Sequence, residues 1–227
     1  MEFETDEVRV GKFLVSVIKD DQYIGACLRR GQEWDGWMRQ DLPYLVKPGQ
    51  DILDIGGNIG WNSLMFSDYG PVHTFEPMYH SVGAKNIAQN STRHPITLYP
   101  FGLSHKKHSL PIFLPKKEGQ SRNYGGTSVA PPTTTSHEKD GTIINLETLD
   151  SVYKGTPCLI KLDVELHELE VLKGAEQTIR THLPHMYVEI FDMEGPVPKF
   201  LKEIGYTTIL PRPEHNYLFV SPSSSSS

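Results

Sequence analysis

Hydrophobic and polar positions follow two regimes along this chain. From residue 51, short apolar runs alternate with amphipathic ones. "DILDIG", "VHTFEP", "ITLYPFGL", "CLIKLDV" and "HMYVEIF" read as buried strands. Between and after them, "WNSLMFSDY", "YHSVGAKNIAQN", the run through Leu169, Leu172, Ala175, Ile179 and Leu183, and "VPKFLKEIG" read as helices. Gly205 suits the cap that ends the last helix, and "YTTILP" and "YLFVS" supply two final strands. Strand and helix alternating at this pitch predict a parallel sheet covered on both faces.

The other regime is less regular. Residues 1–48 read as an N-terminal extension, with a strand-rich "VRVGKFLVSVI" followed by Trp34, Trp37, Met38, Leu42 and Leu45 at near-helical spacing, which predicts packing onto the core. "SLPIFLP" reads as one arm of a β-hairpin, and residues 115–141 as a flexible insertion rich in Gly, Pro, Ser and Thr. An insertion of this kind is expected to act as a lid over a bound acceptor. One domain is expected over residues 1–222, with the serine tail 223–227 disordered.

Composition narrows the function classes. The formal net charge is -6, which argues against a nucleic-acid backbone as partner, because phosphates are neutralised by Lys and Arg. The two cysteines, Cys27 and Cys158, have no metal or redox spacing and read as free thiols. A reducing compartment fits them, no run is long and apolar enough to span a membrane, and the acidic N-terminus lacks a signal-peptide pattern. A soluble, cytoplasmic protein is therefore expected.

The first candidate site is the turn Asp54-Ile55-Gly56-Gly57-Asn58-Ile59-Gly60, between a strand and a helix. In open α/β sheets ligands bind beyond the strands' carboxyl ends, where glycine lets backbone come close. Glu76 closes the next strand 76 − 56 = 20 residues after Gly56, where an acid is expected on a ribose hydroxyl pair. The spacing is not the GxGxxG of a dinucleotide site. An acid two residues before the first glycine suits a cofactor with a positive amino group, such as S-adenosylmethionine. Asp54 and Glu76 have a second reading as groups that merely cap helices or end strands.

"LDIGGNIGWNSL", "TFEP", "LETLDSV", "IKLDVELHELEVLKGAEQTI", "YVEIF" and "LKEIGY" occur in an order that resembles the FkbM family of S-adenosylmethionine-dependent O-methyltransferases, from about residue 33 to the end. The resemblance implies a Rossmann-like class I methyltransferase fold: a mostly parallel seven-stranded sheet, with the N-terminal extension and a β-hairpin insertion added. It implies methylation of a hydroxyl on a sugar, a glycan or another small molecule. By position, Asp54, Gly56, Gly57, Asn58 and Gly60 would hold the methionine part, Glu76 the ribose, and Phe101 and Gly102 would lie by the adenine. "NYGGTS" is expected to face the acceptor. Family members usually carry Gly where this chain has Leu166, and often Ala where it has Gly57, an exchange expected to be harmless. Leu166 is expected to take an ordinary conformation and to touch a nonpolar face of the acceptor.

The chemistry would need a group to take the acceptor's proton. Side chains alternate along a strand, so Lys161, Asp163 and Glu165 should share one face, with Glu189 on the neighbouring strand. Asp163 is the expected general base or metal ligand, tuned by Lys161. Glu165 and Glu189 would orient the acceptor or complete an oxygen site for Mg2+, Mn2+ or Ca2+. His167 is a further candidate base, and Glu168 and Glu170 suit the start of the following helix. RNA ribose methylation and a non-catalytic nucleoside-binding module are the competing functions.

Overall fold

The computed structural model describes residues 3–129 and 136–222. The chain opens with an antiparallel hairpin, β1 (Thr5–Val10) and β2 (Phe13–Ile18), then α1 (Ile24–Arg29), a 3-10 turn (Gly36–Gln40) and α2 (Leu42–Leu45). The alternating part follows as β3 (Asp51–Ile55), α3 (Trp61–Phe66), β4 (Val72–Phe75), α4 (His80–Ala88) and β5 (Ile96–Tyr99). Next come the small strands β6 (Gly102–Leu103), β7 (His108–Pro115) and β8 (His137–Glu147), with α5 (Leu149–Val152). The chain closes with β9 (Pro157–Leu162), α6 (Glu168–Gly174), α7 (Glu176–His182), β10 (His185–Glu189), α8 (Pro196–Ile204), β11 (Ile209–Pro211) and β12 (Asn216–Phe219).

Seven strands form one sheet in the order β11-β12-β10-β9-β3-β4-β5, parallel from β10 to β5 and antiparallel where β12 joins β10 and β11. The expected α/β architecture is present. The central strand β9 is buried along its whole length, as parallel strands covered on both faces are. Alternation sorts its neighbours onto two faces. Ile52, Leu159 and Tyr187 pack with Met38, Leu42, Leu45, Met65 and Phe66, whereas Leu53, Ile160 and Met186 pack under Leu149, Val171, Leu172, Ile179 and Leu201. Phe13, Val15 and Val17 of the N-terminal hairpin pack with Trp61, Leu64, Tyr79 and Val82, so the extension is built into a core.

Four expectations need correction. "ITLYPFGL" is two strands, because the chain leaves the large sheet after Tyr99 and Gly102–Leu103 pairs with β8 in a separate three-stranded sheet. The helix expected through Leu183 breaks at Ala175, whose φ of -115° is not helical. Residues 137–141 of the expected insertion are strand, paired antiparallel with β7. Within the remainder, Arg122 donates to Glu138 and Tyr124 to Asp20, at 2.6 and 2.9 Å, tying residues 116–129 to the body. Residues 130–135 and the serine tail lie outside the described residues.

Candidate active site

β3 ends in a loop that only certain residues can make. Gly56 has φ +86°, and a Cβ there would lie 1.8 Å from the Asp163 carbonyl oxygen, so both backbone angle and space require glycine. Asn58 is also left-handed (φ +49°), helped by its own Oδ1 accepting the Ile59 N–H at 2.8 Å. Glu76 at the end of β4 holds the loop from the side. Its Oε2 accepts the Asn58 N–H at 2.9 Å, and its Oε1 accepts those of Met78 and Tyr79 at 2.7 and 2.9 Å. Burial pushes the Glu76 carboxyl up to about 7 against the pull of these three bonds.

The loop lines a cavity of about 500 Å3. Gly56, Gly57, Asn58, Glu76 and Gly102 stand on its wall, as expected of a cofactor seat. Three other expected residues do not. Asp54 is completely buried behind the loop, where Ser63 donates to its Oδ2, and its Oδ1 has no hydrogen-bond partner among the described residues. Gly60 packs against Gly83 of α4. Phe101 belongs to a core cluster, 5.6 Å from the Tyr99 ring and 6.1 Å from that of Phe75. Gly57 also differs from expectation: a Cβ there would lie 2.3 Å from Cγ2 of Thr74, so alanine is not harmless unless Thr74 moves.

Beside the loop, the sheet carries a buried cation next to several acids. Lys161 stands in β9 next to Asp54 of β3 and is 3% exposed. Its Nζ donates to Asp163 Oδ2 at 2.9 Å. Burial alone would lower its pKa, but the charges of Asp163, Asp35 and Asp54 and that hydrogen bond raise it, so Lys161 stays charged.

Beyond the strand, the chain turns through two left-handed residues, Glu165 (φ +52°) and Leu166 (φ +70°). The expected ordinary conformation of Leu166 is overturned, because its backbone is in the region that favours glycine; its side chain is 65% exposed and off the cavity wall. Glu168 Oε1 holds the turn by accepting the N–H groups of Val164 and Leu166 at 3.3 and 3.2 Å, and Ser128 Oγ donates to the Glu165 carbonyl.

This turn brings together the expected catalytic side chains. Lys161, Asp163, Glu165, His167 and Glu189 all line the cavity. Carboxylate oxygens of Asp163, Glu165 and Glu189 lie within 4.8 Å of one another. Burial and the negative charges of Asp163 and Glu168 push the Glu165 carboxyl up to about 8. Burial, Asp163 and Glu165 raise that of Glu189, whose Oε2 has no partner among the described residues. His167 Nε2 lies 3.0 Å from Ser104 Oγ, and burial lowers its pKa, favouring the neutral ring. Such a cluster can take a proton from a hydroxyl or hold a divalent cation.

Sequence reasoning missed several wall residues. Asn62 lines the cavity and donates to Asp35, a buried left-handed residue, at 3.0 Å; the Asp35-Gly36 dipeptide was the available turn signal. Glu214 and His215, successive left-handed residues between β11 and β12, reach the mouth, where His215 packs on the half-exposed Phe191. In "NYGGTS", Asn123, Tyr124, Gly125, Thr127 and Ser128 do line the cavity.

Comparison with known proteins agrees with this geometry. Residues 54–208 match the methyltransferase FkbM domain. The chain is 30% identical over 163 residues to the hexuronic acid methyltransferase AglP of Haloferax volcanii, covering 70% of this chain and 64% of that protein. Its fold is similar to the crystal structure of methyltransferase FkbM from Methylobacillus flagellatus KT, with a TM-score of 0.52 and 14% identity over 88% of this chain and 66% of that one. The chain thus spans just under two thirds of the length of each relative. With the domain model matched over more than half its length, the chain belongs to the FkbM methyltransferase family.

Proposed function

We propose that the protein transfers a methyl group from S-adenosylmethionine to a hydroxyl of a sugar or other small molecule. The observation that carries this reading is one cavity lined both by the glycine loop with Glu76 and, on the adjoining strand end, by Lys161, Asp163, Glu165 and Glu189. The nucleoside would lie along Gly56, Gly57 and Asn58. Glu76 Oε2, with one backbone N–H on it, keeps a lone pair for a ribose hydroxyl. The adenine would rest between Pro77, Met78, Gly102 and Leu103 on the same wall.

Methyl transfer is an in-line displacement at the sulfonium carbon, and holding oxygen, carbon and sulfur in line supplies much of the acceleration. The acceptor oxygen loses its proton as the new bond forms. Asp163 is tied to Lys161, whereas the Glu165 carboxyl, pushed up to about 8, matches a base working near neutral pH. Glu165 is therefore the proton acceptor in this reading, with Asp163 and Lys161 fixing its electrostatics. The sugar acceptor draws support from the hexuronic acid methyltransferase relative.

The mutual approach of the three carboxylates favours a second reading of the same step, in which Asp163, Glu165 and Glu189 would hold a divalent cation, a group that would supply acidification of a hydroxyl. Release of S-adenosylhomocysteine on glycan acceptors, with and without EDTA, tests both. Turnover that survives EDTA removes the cation. Tight S-adenosylhomocysteine binding without turnover on any acceptor would sink the enzymatic reading.

A further inference from the structure

Asn62 carries a polar atom that the fold leaves unused. It stands in the first turn of α3, lines the cavity and is 7% exposed. Its Nδ2 donates to Asp35 Oδ2 at 3.0 Å, but its Oδ1 has no hydrogen-bond partner among the described residues. A buried acceptor without a donor is costly, so this atom calls for a ligand N–H or O–H.

Asp35 orients the amide: its Oδ2 takes the NH2 end, which turns Oδ1 away from the carboxyl. Burial raises the pKa of Asp35 against the pull of nearby Lys161, so the amide's orientation rests on the hydrogen bond itself.

S-adenosylmethionine has a sulfonium, a carboxylate and an ammonium beyond its nucleoside, and only the ammonium of these three carries N–H. Asp54, the acid that the loop pattern offered for it, is sealed behind Gly57, off the cavity wall. Asn62 is on the wall. The ligand's carboxylate would be repelled by Oδ1, and one N–H of the amide is already committed to Asp35.

We infer that Asn62 Oδ1, oriented by Asp35, receives the α-ammonium of the methyl donor. Asn62 is the contact and Asp35 the positioning residue; the inference rests on the S-adenosylmethionine reading above. Calorimetric titration with S-adenosylhomocysteine and with its des-amino analogue, which keeps thioether and carboxylate, tests it. Asn62→Leu should weaken S-adenosylhomocysteine about tenfold, the scale of a hydrogen bond to a charged group, and leave the analogue's affinity unchanged. Asp35→Asn, which frees the amide to turn, should cause a smaller loss confined to the same ligand. If Asn62→Leu does not fold, the two-ligand ratio in Asp35→Asn decides. Equal losses for both ligands mean a structural role and overturn the inference, as does no loss for either. Failure of the wild-type protein to bind either ligand is a different result, and counts against the donor itself.

Discussion

Two strand ends meet at the cavity and turn in the same left-handed way with different residues. After β3 the turn uses Gly56, Asn58 and Gly60; after β9 it uses Glu165 and Leu166. The first loop puts permissive residues at each such position. The second carries a strain of about 1–2 kcal/mol per residue, offset by Glu168 and Ser128 reaching in from elsewhere. Both turns take a carboxylate's help, Glu76 for the first and Glu168 for the second. They differ in that the first places permissive residues at its left-handed positions, and the second, which aims the carboxylates, does not.

Four substitutions probe that difference. Gly56→Ala should cost most, about 4 kcal/mol of stability in urea unfolding, because the new methyl meets the Asp163 carbonyl and the backbone angle is unfavourable. A loss below about 1 kcal/mol would show that the two strand ends can separate freely. Glu165→Gln should lower turnover by about 100-fold, the low end of general-base effects. The pH profile carries the sign: the Glu165 carboxyl, raised to about 8, is mostly protonated at pH 7, and a base acts ionised. Wild-type turnover should therefore climb through pH 8, and the variant should lose that limb. A climb of equal size in the variant would move the base elsewhere.

Glu168→Ala removes the acceptor for two N–H groups, and a loss of about 1.5 kcal/mol is expected. Unchanged stability would mean that the second turn needs no outside support. Leu166→Gly should have the smallest effect, a gain of about 0.5 kcal/mol, since relief of the left-handed leucine slightly exceeds the added chain entropy. Its side chain is exposed and off the cavity wall, so acceptor preference should not change; a shift in preference would reveal an acceptor contact beyond that wall.

The same contrast explains what could be read in advance. The parallel strands, the glycine loop and the convergence of Lys161, Asp163, Glu165 and Glu189 follow from local periodicity and from the place where strands end. Leu166 misled because its conformation is imposed by Glu168 and Ser128, and a leucine by itself signals an ordinary backbone. Asp54 was legible as an acid near the loop, but its alternation into the sheet face beneath Ser63 took it off the wall. Asp35 and Asn62 are 27 residues apart and meet only through packing, so neither segment announces the pair.

The cavity wall formed by residues 123–129 belongs to a loop whose two stems, β7 and β8, are partners in one antiparallel ladder. A ladder fixes the distance between the loop's ends, whatever runs between them. Exchange of residues 123–127 can therefore alter this wall in chemistry while β3 and β9 keep their places, provided Ser128 stays to hold the Glu165 turn. The fold thus separates the cavity into two parts: a floor fixed by the ends of β3 and β9, and a wall carried on the hairpin of a second sheet.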